Sequence, residues 1–345
     1  MKRIDLRSDT ITKPTPAMVN AMMKAEVGDD VLGDDPTVIR LQKKVSERFG
    51  KEAGLFVPSG TMSNQIAIRT HTQPGQEIIC EMGAHIFNFE GGGPAVLSGV
   101  QIRPVKGNYG IMDPEYVEEN LRFDDNVHHA PTALIELENT HNRGGGTIIP
   151  MKNIQDIRKI ADKYELPMHL DGARIWNAHV ATHIPLQEYA QYFESVSVCF
   201  SKGLGAPVGS MLLGSAEFIH KAKRWRKVFG GGMRQSGYLA AAAEYAFEYH
   251  IDRLIEDHAR AAFFANELAQ MRGLAVNLET VQTNIVMIDV LSIPAAELHH
   301  KLMKFGLDIL PVSPTRLRAV FHLHIDDEMT ERAVNIFERV MSDEC

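Results

Sequence analysis

A chain of 345 residues is long for a single core, so a large domain with a smaller companion is expected. Its 44% hydrophobic and 23% charged content is that of an ordinary globular chain, and a formal net charge of −8 argues against nucleic acid or an acidic membrane as the main partner. Three cysteines (Cys80, Cys199 and Cys345), an odd number without CxxC spacing, fit a reducing compartment better than a disulfide or zinc framework.

The start, Met1-Lys-Arg-Ile-Asp-Leu-Arg-Ser8-Asp-Thr10, turns to charge too early for a signal peptide, and the apolar run from Tyr238 is cut short by Glu244. The reading is cytoplasmic. From Pro36 to Phe49, Val38, Leu41, Val45 and Phe49 share one helical face, with Asp35 as N-cap and Gly50 as stop. A short strand, Leu55 to Val57, leads through Pro58-Ser-Gly-Thr61 into a helix from Met62 to about Thr70. Further strands are expected at Glu77–Glu81, Ala133–Glu138 and the segment ending at Asp171, the last preceded by an amphipathic helix from Ile154 to Tyr164. Val196–Phe200 and Val208–Leu213 flank Lys202. Alternating strands and helices imply a mostly parallel sheet covered on both faces. After about residue 250 a long helical segment (Ile251 to Met271) precedes strands near Asn284–Ile288 and Arg316–His322. Helices are expected around Leu298–Lys304 and Glu328–Met341. This texture gives an α/β large domain, 1–250, and a small C-terminal α+β domain, 251–345, with the N-terminal segment free to pack on the latter.

Ligands of open α/β sheets sit at the carboxyl ends of strands, and Ser59, Asp171 and Lys202 all fall there. A lysine leaving a strand into a glycine-rich turn, with an aspartate ending a neighbouring strand, is what pyridoxal phosphate requires. The lysine forms the Schiff base and the aspartate keeps the pyridine nitrogen protonated. Ser59-Gly60-Thr61 at a helix start suits a phosphate, although an ordinary N-cap has the same composition. His85 can stack on a pyridine ring or exchange protons, though a lone histidine is more often structural. Arg174 or Arg318 can hold a substrate carboxylate bidentately, with Arg316 a close competitor for Arg318. No metal site is expected: His128-His129, His299-His300 and His322-Leu-His324 lack an HExxH frame or a cysteine pair. The run Gly203–Gly209 precedes a strand and carries Pro207, unlike a dinucleotide loop.

Taken together, Asp5–Thr10, Gly28–Pro36, Pro58–Asn64, Leu137–His141, His169–Arg174, Ser201–Gly209 and Gly230–Ser236 resemble the low-specificity L-threonine aldolases over nearly the whole chain. The resemblance implies the aspartate aminotransferase-like fold type I architecture, in homodimers or homotetramers with sites at subunit interfaces. It implies Lys202 as Schiff-base lysine, Asp171 on the pyridine nitrogen, Gly60 and Thr61 at the phosphate and His85 on the ring. Ser8, Arg174 and Arg318 would hold the substrate carboxylate and His128 would lie near its hydroxyl. Lys227 and Arg234 would reach the cofactor from a neighbouring subunit. The implied reaction is retro-aldol cleavage of L-threonine and L-allo-threonine, β-hydroxy-α-amino acids, to glycine and acetaldehyde. Racemisation or β-elimination on the same scaffold, or a non-catalytic cofactor-binding protein, are the alternatives, and His85, His128 or a water could serve as base. A structural metal at Asp29-Asp30 is left open.

Overall fold

The computed structural model describes residues 3–123 and 125–342; Cys345 lies outside the described residues. Its central feature is a seven-stranded sheet in the order Ala53–Val57, Ser210–Gly214, Ser195–Cys199, Met168–Gly172, Thr132–Glu138, Glu77–Glu81, Gln101–Val105. Within this sheet Ser210–Gly214 runs antiparallel to both its neighbours and every other pairing is parallel. The chain enters by the predicted helix Pro36–Phe49. Asp35 Oδ1 accepts from the Thr37 and Val38 amides at 3.1 Å, and Gly50 closes the helix at φ 62°. Val38, Leu41, Val45 and Phe49 are fully buried against the sheet. Each of these contributes about 1.5–3 kcal/mol by leaving water.

A second, four-stranded antiparallel sheet is ordered Leu274–Ala275, Ile285–Val290, Arg316–Val320, Leu310–Ser313. Helices Leu254–Ala269, Ala295–Lys304 and Asp327–Ser342 cover it and form a core of their own, to which Ile4 and Leu6 contribute from the N-terminus. The strand Ile4–Asp5 pairs in parallel with Leu307–Asp308. That pairing carries the next residues, Ser8 to Thr12, toward the large sheet.

Several elements differ from the sequence reading. The expected helix Ile251–Met271 begins at Leu254, because the chain turns between it and a separate helix, Gly237–Tyr249. The alanines of that preceding helix are buried core, so its apolar run reflects burial on all sides. Helices Pro16–Met23 and Ala216–Val228 and the edge strand Gln101–Val105 were not anticipated. The edge strand carries Gln101, Arg103 and Pro104, which obscure its alternation. No helix among the described residues is long and apolar enough to cross a membrane.

Candidate active site

Asp171 is fully enclosed in Met168–Gly172, beside Glu138 at the end of the adjacent strand. Its Oδ2 accepts from Asn64 Nδ2 at 2.8 Å and its Oδ1 from the Ala173 amide at 3.0 Å. Burial alone would raise this carboxyl. The charges of His85 and Lys202, with the Asn64 hydrogen bond, outweigh it and hold Asp171 below the usual carboxylate range. An anion is therefore maintained where the large sheet ends.

Lys202 follows the strand Ser195–Cys199 after a short bend, and its carbonyl accepts from Thr12 Oγ1 at 2.9 Å. The N-terminal segment is thereby laced to the lysine turn. The next residues of the same segment build a second charged cluster. Asp9, with no exposed surface, takes Arg174 Nε and Nη2 bidentately, each at 2.7 Å. Against the cost of burial, Arg174, Lys202 and Arg318 bring the Asp9 carboxyl down to about 2. Ser8 caps the single turn that follows, accepting from the Thr10 amide at 3.2 Å.

Arg318 stands opposite in kind. Its Nη1 donates to Asn142 Oδ1 at 2.9 Å and its Nη2 to the Arg7 carbonyl at 3.1 Å, but Nε is buried and unpaired. No described carboxylate pairs with it, and burial together with the neighbouring Arg174 charge pushes the guanidinium down to about 10. Its competitor Arg316 grips Asp289 bidentately at 2.6 and 2.8 Å. Asn142 is itself fixed by its amide, which donates to Glu138 at 2.8 Å. The glycine-rich loop 142–147 passes close beneath the second sheet: Gly146 has φ 75°, and a Cβ there would lie 2.6 Å from Thr283 Oγ1.

His85 begins a short helix just beyond Glu77–Glu81. Its amide donates to Glu138 at 2.7 Å and its Nδ1 bonds Glu90 Oε1 at 2.8 Å. Burial opposes protonation of the ring, but the Glu90 hydrogen bond and the Asp171 charge raise its pKa. Among the described residues, His85, Glu90 and Asp171 are one grouping with metal-like spacing, their ligand atoms within 4.8 Å of one another. Asn64 Nδ2 bridges Glu90 at 2.9 Å and Asp171 at 2.8 Å, and Gln65 Nε2 adds a donor to Glu90 at 2.6 Å. Amide donors thus occupy the position a cation would take between the two carboxylates.

Ser59 caps the twelve-residue helix Gly60–His71, accepting from the Met62 amide at 3.1 Å. The amides of Gly60 and Thr61 have no acceptor within the helix and carry its positive end. A Cβ on Gly60 would stand 2.7 Å from Cys199 Sγ, so glycine allows the helix start to close on the strand that leads to Lys202.

These observations give the fit for pyridoxal phosphate and a carboxylate-bearing substrate: a lysine, a buried carboxylate anion, amides at a helix start, and a guanidinium with no paired carboxylate among the described residues. The sequence reading missed Asp9, Asn64, Glu90, Glu138 and Asn142, which position the groups it named. His128 lies on an exposed turn, where its amide donates to Asn126 Oδ1 at 3.0 Å, outside the hydrogen-bonded cluster around Asp171. Lys227 is exposed at the end of Ala216–Val228, and Arg234 pairs with Asp29 at 2.9 Å. Asp30 pairs with buried Arg226 at 2.7 Å, so both carboxylates of Asp29-Asp30 are held by arginines.

A beta-eliminating lyase family model matches residues 5–291. The low specificity L-threonine aldolase of Escherichia coli (strain K12) is 44% identical over 326 residues, 94% of this chain and 95% of that protein. The low-specificity L-threonine aldolase 1 of Arabidopsis thaliana is 41% identical over 347 residues, 99% of this chain and 97% of that protein. Among solved structures, a Leishmania major threonine aldolase superposes with a TM-score of 0.83 at 19% identity, covering 98% of this chain and 99% of that one, a likeness that speaks to the fold. The chain belongs to the beta-eliminating lyases, a pyridoxal-phosphate-dependent family, and within them to the low-specificity L-threonine aldolases.

Proposed function

We propose that this chain cleaves L-threonine and L-allo-threonine to glycine and acetaldehyde. The observation that carries the reading is Arg318, a buried guanidinium with no carboxylate partner among the described residues, whose charge acts on Asp9 together with that of Lys202. An α-carboxylate is the anion that completes it.

Pyridoxal phosphate, when bound, supplies an electron sink for whichever Cα bond stands perpendicular to its ring. Lys202 would hold it covalently, Asp171 would pair with its ring nitrogen, and His85 would stack on its face. Ser59, Gly60 and Thr61 would take the phosphate at the helix start. Arg318, steadied by Asn142, would clamp the carboxylate and so fix rotation about Cα–N. Ser8 and Arg174 would border the same carboxylate, but Asp9 already engages two Arg174 nitrogens, which makes Arg318 the principal clamp. With Cα–Cβ thus aligned, cleavage is favoured over decarboxylation or racemisation. The β-hydroxyl proton must leave and Cα must gain one. His85 is suited to this exchange, since Glu90 holds its Nδ1 and leaves Nε2 for the substrate.

The active unit is at least a dimer in this reading, with Lys227 and Arg234 serving a neighbouring subunit's cofactor. Exposed Met82, Phe87, Phe89 and Val96 around the His85–Glu90 segment support a subunit contact beside the site. We divide the chain near residue 250, a reading supported by two separate cores. The cytoplasmic assignment draws support from Cys80 and Cys199, both free and buried.

Two measurements test the reading. Cofactor-loaded protein given each threonine diastereomer should release glycine and acetaldehyde in equal amounts, whereas racemised threonine or 2-oxobutanoate would favour the alternatives. Lys202→Ala should abolish both turnover and the borohydride-fixed cofactor adduct; an adduct persisting on another lysine would overturn the lysine assignment.

A further inference from the structure

Behind Asp171 runs a line of polar side chains that the proposed chemistry does not use. Asn64 and His71 lie seven residues apart on one face of Gly60–His71, and His169 and Ser195 sit side by side on adjacent strands beneath that helix. Asn64 Oδ1 lies 3.2 Å from His169 Nε2, His169 Nδ1 lies 2.8 Å from Ser195 Oγ, and Ser195 Oγ lies 2.8 Å from His71 Nε2. The line starts at the carboxylate and ends at His71, the last residue of that helix, where the central strand Ser195–Cys199 begins.

The direction of every bond in it follows from its first member. Asn64 Nδ2 faces two carboxylates, Asp171 and Glu90, so the NH2 group must point toward them and Oδ1 must accept from His169. His169 then carries its proton on Nε2. Its bare Nδ1 accepts a hydrogen bond from the Ser195 hydroxyl, which leaves the Ser195 oxygen to accept from His71 Nε2–H. The assignment requires both rings to be neutral. Burial lowers His169 to about 4 and His71 to about 3, in keeping with that requirement.

We infer that Asn64, His169, Ser195 and His71 form a one-way hydrogen-bond relay of positioning residues, with every donor directed toward Asp171, that holds this carboxylate ionised for the cofactor's ring nitrogen. The inference rests on the pyridoxal-phosphate reading of the site. Aligned dipoles stabilise a negative charge at the end they point to, and each polarises the next. A direct arginine partner would compete with the ring nitrogen for the carboxylate; a neutral relay supports the charge and leaves the cofactor-facing side open.

The test uses holoenzyme loaded with ring-15N pyridoxal phosphate and, separately, holoenzyme with 15N-labelled histidine. In the unmutated protein His169 and His71 should both appear as Nε2–H tautomers with unprotonated Nδ1. An Nδ1–H tautomer at either residue reverses a dipole and overturns the relay. This measurement needs no substitution, so it decides the point even where a variant fails to fold. In folded His169→Phe the ring-nitrogen shift should move toward the unprotonated value and kcat should fall about tenfold, with KM for L-threonine nearly unchanged. His169→Gln, whose amide can still donate to Asn64, should recover most of both. An unchanged ring-nitrogen shift in folded His169→Phe also overturns the proposal. Failure of the cofactor to label Lys202 in the unmutated protein would instead overturn the reading of the site, whatever the tautomers.

Discussion

Two buried arginines near Lys202 should respond to the same substitution in opposite ways. Arg174 is paired bidentately with Asp9, which has no exposed surface, so Arg174→Met leaves an uncompensated buried carboxylate. Breaking such a pair costs about 3–5 kcal/mol of stability. Arg318 has no described carboxylate partner, and its fall from the ordinary guanidinium range to about 10 means that its charge already costs the substrate-free fold about 3 kcal/mol. Arg318→Met removes that cost but strands the Asn142 oxygen and the Arg7 carbonyl, at about 1 kcal/mol each. The net change should lie between zero and about 2 kcal/mol of stabilisation. Substrate binding should show the reverse order. Losing a charge-assisted clamp removes about 1.5–3 kcal/mol, so KM for L-threonine should rise roughly 10- to 150-fold in Arg318→Met. Urea denaturation at a fixed cofactor concentration, alongside steady-state release of acetaldehyde, measures both quantities. An Arg318→Met variant that loses 3 kcal/mol or more while keeping a normal KM would refute the reasoning. It would mean that Arg318 is a structural strut.

Asp171→Asn should still bind cofactor but lose roughly 10²–10³-fold in kcat, the scale for one preorganised electrostatic group; near-normal kcat would place the ring nitrogen against another residue. For Asp9 the folded value of about 2 lies below the ordinary 3.8, so its contribution of about 2 kcal/mol is complete above pH 3.8 and disappears as pH falls through about 2. The stability gap between the unmutated chain and Asp9→Asn should therefore be constant from neutral pH to about 4 and close below it, as followed by urea titration at several pH values. Reassociated hybrids of inactive Lys202→Ala and inactive Arg234→Ala subunits should regain part of the activity. No recovery in verified hybrids would place Arg234 in its own subunit's site or outside the chemistry.

Much of the frame was legible because its signals are local. The helix Pro36–Phe49 carries its cap, its stop and its apolar stripe within sixteen consecutive positions, and the structure places it to the residue. The placement of Lys202 and Asp171 at strand ends was legible for the same reason, since a strand followed by a glycine turn is a pattern of a few neighbours. The helix Leu254–Ala269 was misjudged at its start because nothing in Ile251–Arg253 breaks the periodicity; the break comes from the chain's turn after Gly237–Tyr249.

What the sequence could not distinguish is which of three arginines is free to bind. Arg316 and Arg318 are two residues apart on one face of one strand, and Arg174 follows the Asp171 strand, so type and local position treat them alike. Their partners decide the matter, and two of those partners are remote. Asp9 lies 165 residues from Arg174, and Asn142 lies 176 residues from Arg318. Asp289 is across the sheet from Arg316 in the register that pairs Ile285–Val290 with Arg316–Val320. Local patterns put chemical groups at strand ends; only closure of the chain determines which charges are neutralised within the fold. In the proposed reading, the guanidinium left without a carboxylate among the described residues marks the substrate's place. Both the excess charge at Arg318 and the carboxylate held ready at Asp171 are therefore properties of the folded chain, and in the proposed reading a threonine-bound cofactor is the ligand that satisfies both.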